Sequence, residues 1–102
     1  MSKIRVPEKN IPQFKYFCTS FADALEQVTS IRMRGNVLLN AMAKAAGHKN
    51  YTEMRIDSGT YGDGPLDFNT LPETLEKPLS QVLDVPPYKL RSPLMKALHS
   101  TN

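Results

Sequence analysis

A single cysteine, Cys18, stands in a chain of 102 residues, so no disulfide can form within it. No apolar stretch is long enough for a secretory core or a membrane span, and a cytoplasmic protein that avoids membranes is the expectation. The two histidines, His48 and His99, lie far apart and lack companion ligands; both are expected to be exposed polar residues, with no metal bound. Gly62, Asp63 and Gly64 have neither the carboxylate spacing of a calcium loop nor the Gly-Lys-Ser/Thr ending of a phosphate loop. No nucleophile has a supporting His or Asp in a motif, and no residue pair is arranged for acid–base work. Catalysis and cofactors are therefore not expected.

The remaining composition is that of one small domain. Apolar residues make up 40% and charged residues 23%, near globular averages. A chain of this size buries roughly 65% of the surface exposed when unfolded, which is enough for one core. Charge is uneven along it. Residues 1 to 56 carry nine Lys or Arg against four Asp or Glu, and residues 57 to 102 carry four against six. The first half is thus +5 and the second −2, summing to the net +3. A basic half favours an anionic partner, nucleic acid first, since neutralising phosphates releases counterions. Cations without a dense Lys/Arg run also simply solvate helix faces, and both readings stay open.

Periodicity predicts an all-α bundle of four to five short helices. Met1 to Lys9 reads as a basic arm or a loosely held extended segment. Asn10 caps a helix with Pro12 in its first turn that runs to about Ser30. Its buried stripe is Ile11, Phe14, Cys18, Phe21, Leu25 and Val28, widened by Phe17 and by Ala22 or Ala24. Cys18 is read as a small buried hydrophobe and the phenylalanines as core. A loop follows from Ser30 to Asn36, exposing Arg32 and Arg34.

The stretch from Asn36 to Ile56 organises the rest: a helix with Val37, Leu38, Ala41, Met42, Ala45 and Ala46 buried, a left-handed cap at Gly47, and a second short helix. Asn50 and Glu53 form an Asn version of the capping box at its start. DNA-reading helix-turn-helix motifs place a small residue four positions before a turn glycine, as Ala43 stands before Gly47, with apolar positions such as Met42 and Ile56 around it. His48 and Glu53 depart from that pattern. If the hairpin reads DNA, Lys49, Asn50, Tyr51, Thr52 and Arg55 contact bases or phosphates, with Arg34 and Lys44 on the backbone.

The run LLNAMAKAAGHKNYTEMR, preceded by FKYFCTSFADAL, resembles a helical segment recurring in uncharacterised proteobacterial and plasmid proteins and beside some glyoxalase-like domains. An Ala-Lys-x-x-Gly-x-x-Asn-aromatic core carries the likeness, over about residues 11 to 56. The resemblance implies a helical fold and a bacterial, phage or plasmid origin, with no activity attached.

Beyond Asp57 a Gly/Pro-rich connection runs to Thr70, with a turn expected at Gly62 to Pro65 and a short extended piece at Leu66 to Phe68. Next, Leu75, Leu79, Val82 and Leu83 mark a helix in which Pro78 is tolerable only in the first turn; Pro86 and Pro87 end it. Ser92 and Pro93 then start a last short helix carrying Leu94, Met95 and Leu98. These faces pack back onto the first two helices, or the segment of Tyr88, Leu90, Leu94 and Leu98 docks on a partner or a second copy. Two functions follow. One is a bacterial or mobile-element DNA-binding regulator, as a monomer or homodimer. The other is a protein-binding module that occupies a host protein or nucleoprotein complex.

Overall fold

The computed structural model describes residues 4, 6–58 and 68–101. Five α-helices build it: α1 (Ile11–Thr29), α2 (Gly35–Ala45), α3 (Tyr51–Ser58), α4 (Leu71–Leu83) and α5 (Pro87–Thr101). Single 3-10 turns, Glu8–Asn10 and Phe68–Thr70, lead into α1 and α4. No strand occurs among the described residues, so the chain is an all-α bundle. The expected turn at Gly62 to Pro65 lies outside the described residues. Of the extended piece expected at Leu66 to Phe68, Phe68 belongs to the 3-10 turn instead. Its ring sits 6.2 Å from that of Phe17, inclined at 47°.

The inner face of α1 is made by Phe14, Phe17, Cys18, Phe21, Ala22, Ala24 and Leu25, all buried. α5 lies along it and contributes Leu90, Leu94, Ala97 and Leu98. α4 packs on α5 and α2, adding Leu71, Leu75 and Leu79, while α2 adds Leu38, Met42 and Ala43. The C-terminal apolar face is thus buried within its own chain. Tyr88, grouped with that face by spacing, is exposed. So are Val28, in the last turn of α1, and Val37, in the first turn of α2.

Both prolines taken as helix limits lie inside helices. Pro78 is the eighth residue of α4 and Pro93 the seventh of α5. Helix α4 already starts at Leu71, with Pro72 in the first turn, and ends where Asp84 turns left-handed at φ 55°. Pro87 opens α5, and Ser92 caps nothing. An interior proline costs about 3 kcal/mol. Each of these helices buries at least three leucines worth roughly 1.5–3 kcal/mol apiece, so packing overrides the local cost.

Turn chemistry explains the remaining joints. Ser30, left-handed at φ 62°, ends α1, and Gly35 at φ 55° opens α2 one residue earlier than expected. Gly47 adopts φ 94°. Its N–H donates to the Lys44 carbonyl at 3.0 Å, and the His48 N–H donates to that of Ala43 at 2.9 Å, the bond pair of a Schellman turn. Asn10 precedes α1 without a side-chain cap; its amide donates to the Gln13 side chain at 2.6 Å.

The N-terminal segment is no loose arm over its described part. Val6 is buried, and the Ile4 N–H donates to the Ala46 carbonyl at 2.8 Å. Against expectation His48 is also buried, at 4% exposure, while His99 is exposed. A residue one step past a Schellman glycine packs back on its own helix, and the anchored segment closes over it. His48 Nε2 lies 2.9 Å from the Ile4 carbonyl, which only accepts, so Nε2 carries the proton. Nδ1 lies 3.5 Å from Asp57 Oδ2 and is buried without a hydrogen bond among the described residues, so the imidazole ties the N-terminal segment to the turn after α2 through Nε2 alone.

Candidate nucleic-acid interface

Helix α3 is fixed by two asparagines. Asn50 Oδ1 accepts from the Glu53 N–H at 2.8 Å, the forward half of the expected capping box. Asn40 Oδ1, from the middle of α2, accepts from the Tyr51 N–H at 2.9 Å and sets the angle between the helices. Two of the four orphan amides at the start of α3 are thereby satisfied. Replacing Asn50 with alanine is expected to destabilise the chain by about 1 kcal/mol. Urea unfolding followed by circular dichroism checks this; an unchanged midpoint would mean that the 2.8 Å bond contributes nothing.

On α3, Met54 is buried and Tyr51 half-buried, which turns Thr52, Glu53, Arg55 and Ile56 outward. The outward face carries the hydrogen-bonding and basic groups of the expected contact set, with exposed Lys49 just ahead of it. Arg34, at the start of α2, and Lys44, in its last turn, are exposed as well. Asn50 and Tyr51 are bound up in the hairpin itself. Ile56 and Glu53 mark a divergence from the DNA-reading pattern: Ile56 is 59% exposed and Glu53 sits on the solvent face, while Met54 takes the inward position.

The basic residues open onto two different grooves. Lys44 lines one together with Ile4, Gly47, Thr74, Pro78 and Gln81, against α4. Tyr51 and Arg55 line another with Ile11, Pro12 and Lys15, at the beginning of α1. Lys15 was not a sequence candidate, for nothing in α1 alone marks it out from the other polar residues of that face. Burial raises the Tyr51 phenol above its ordinary pKa, and the nearby Arg55 guanidinium offsets part of the rise. Tyr51 is therefore a neutral hydroxyl at any physiological pH.

Two cations elsewhere are held by carboxylates. Arg32 lies 3.4 Å from Glu26 and Arg91 2.6 Å from Glu76. Among the described residues Lys15, Arg34, Lys44 and Lys49 have no such carboxylate partner. Cys18 is fully buried and its thiol is pushed far above the ordinary range by desolvation, which makes it a core residue. No group of three His, Cys, Asp or Glu side chains among the described residues is placed to hold a metal. No described helix is long and apolar enough to cross a membrane. In comparison with known proteins, the chain matches no family model, no curated protein and no solved structure.

Proposed function

We propose that this chain is a small DNA-binding protein of a bacterium, phage or plasmid that acts as a regulator through the α2–turn–α3 hairpin, without catalysis. The observation that carries the reading is the outward face of α3. Thr52 and Arg55 stand there on a helix held by the Asn40 and Asn50 hydrogen bonds, with exposed Lys49 just ahead of it, and Arg34 and Lys44 are exposed at the two ends of α2 without carboxylate partners among the described residues. In this arrangement the first turn of α3 meets base edges, and the flanking cations meet phosphates.

Ile56 and Glu53 on the same face favour a second reading. An exposed isoleucine beside a carboxylate suits a protein surface better than a phosphate backbone, so the rival is a module that occupies a host protein or nucleoprotein complex. Fluorescence anisotropy of a labelled random duplex at two salt concentrations separates the two. On the DNA reading, wild type binds at low salt and weakens steeply as salt rises, and the Lys44, Lys49 and Arg55 to Ala triple variant loses about tenfold or more in affinity. Absence of binding by wild type at low salt overturns the DNA reading and leaves the protein partner.

A further inference from the structure

We infer that the groove between the beginning of α1 and helix α3 seats a phosphate group, so that α1 belongs to the interface. The inference rests on the DNA reading for the source of that phosphate, a backbone phosphodiester. Two cations from elements remote in the sequence line the groove, Lys15 and Arg55, together with Tyr51 and an apolar wall of Ile11 and Pro12. That is the chemistry a sugar–phosphate unit needs: charge and a neutral donor for the phosphate oxygens, and carbon for the deoxyribose.

Two further observations agree. Lys15 has no carboxylate partner among the described residues, so its charge is available to an external anion. Tyr51 keeps its proton because burial disfavours the phenolate, and it can therefore donate rather than repel. The groove is also anchored. The Tyr51 N–H is bonded to Asn40 at 2.9 Å, which holds α3 in place before any ligand arrives.

The test is the salt dependence of binding to the labelled random duplex, measured for wild type, Lys15→Ala, and Lys77→Ala, the last an exposed lysine of α4. Each phosphate neutralised contributes about 0.9 to the slope of log affinity against log salt. Lys15→Ala is expected to lower the slope by about one contact and Lys77→Ala to leave it unchanged. An unchanged slope for Lys15→Ala, with wild type binding, overturns the seat while the DNA reading stands. Should wild type not bind DNA, titration with inorganic phosphate followed by amide NMR decides the seat alone. Shifts confined to residues 11–16 and 51–55 sustain a phosphate seat whose source is not DNA, and shifts nowhere or everywhere overturn it.

Discussion

Replacing Phe21 with alanine is expected to lower the free energy of unfolding by about 3–5 kcal/mol. Phe21 is fully buried on the face of α1 that packs against α5, the most extensive helix pairing in the bundle. Losing the ring forfeits its transfer free energy and opens a void that neighbours packed at crystal density only partly fill. A domain of this size holds roughly 5–15 kcal/mol in total, so the variant forfeits a fifth of its stability at the least. Urea unfolding should shift its midpoint by about 1 M or more with little change in slope. Val28→Ala on the same helix is the control. Val28 is 46% exposed, and the change should stay within about 0.5 kcal/mol. Cys18 supplies a second readout, since its buried thiol reacts with a disulfide reagent only when the core opens. Its reaction should accelerate by about a hundredfold or more in Phe21→Ala, tracking the population of the open form. A midpoint shift below about 0.5 M would show that the α1–α5 contact is not the centre of the core.

Helix α1 was legible because a nineteen-residue amphipathic stripe with proline in its first turn has few alternatives. The α2–α3 hairpin was legible because its punctuation is chemical: a glycine at positive φ and an asparagine bonded to an amide three residues on. The C-terminal helices were less so. Pro78 and Pro93 read as first-turn residues because a local rule counts the missing N–H and cannot count the helices packed alongside, such as α1 beside the buried Leu90, Leu94 and Leu98 of α5. His48 failed for a similar reason, its burial depending on Ile4, more than forty residues earlier. In the site, Thr52 and Arg55 could be named from their place on a short helix after a turn. Lys15 could not, as only tertiary packing brings it beside Tyr51.

The interior prolines make a second large effect testable, and in an unusual direction. Pro78→Ala is expected to stabilise the chain by about 1–2 kcal/mol. Pro78 denies the Thr74 carbonyl its intrahelical donor and crowds the preceding turn, together worth about 3 kcal/mol. Against this gain stands the freer unfolded chain of the alanine variant, worth about 0.4–1 kcal/mol. Some apolar contact is lost too, but Pro78 is only half-buried at the rim of the groove that Lys44 lines, so little void results. Pro93 has the same backbone defect but is buried among the residues of α5 that form the core. Pro93→Ala restores a bond and empties a packed site, so the two changes nearly cancel and the net effect should lie within about 1 kcal/mol of zero. Thermal unfolding distinguishes them, at roughly 4–8 °C per kcal/mol for a domain of this size. Pro78→Ala should raise Tm by at least about 4 °C, and Pro93→Ala should gain less. If Pro78→Ala instead lowers Tm, the backbone that proline fixes in α4 is what aligns Leu75 and Leu79 with the core, and the residue that breaks the local rule is the one that shapes the helix to its partners.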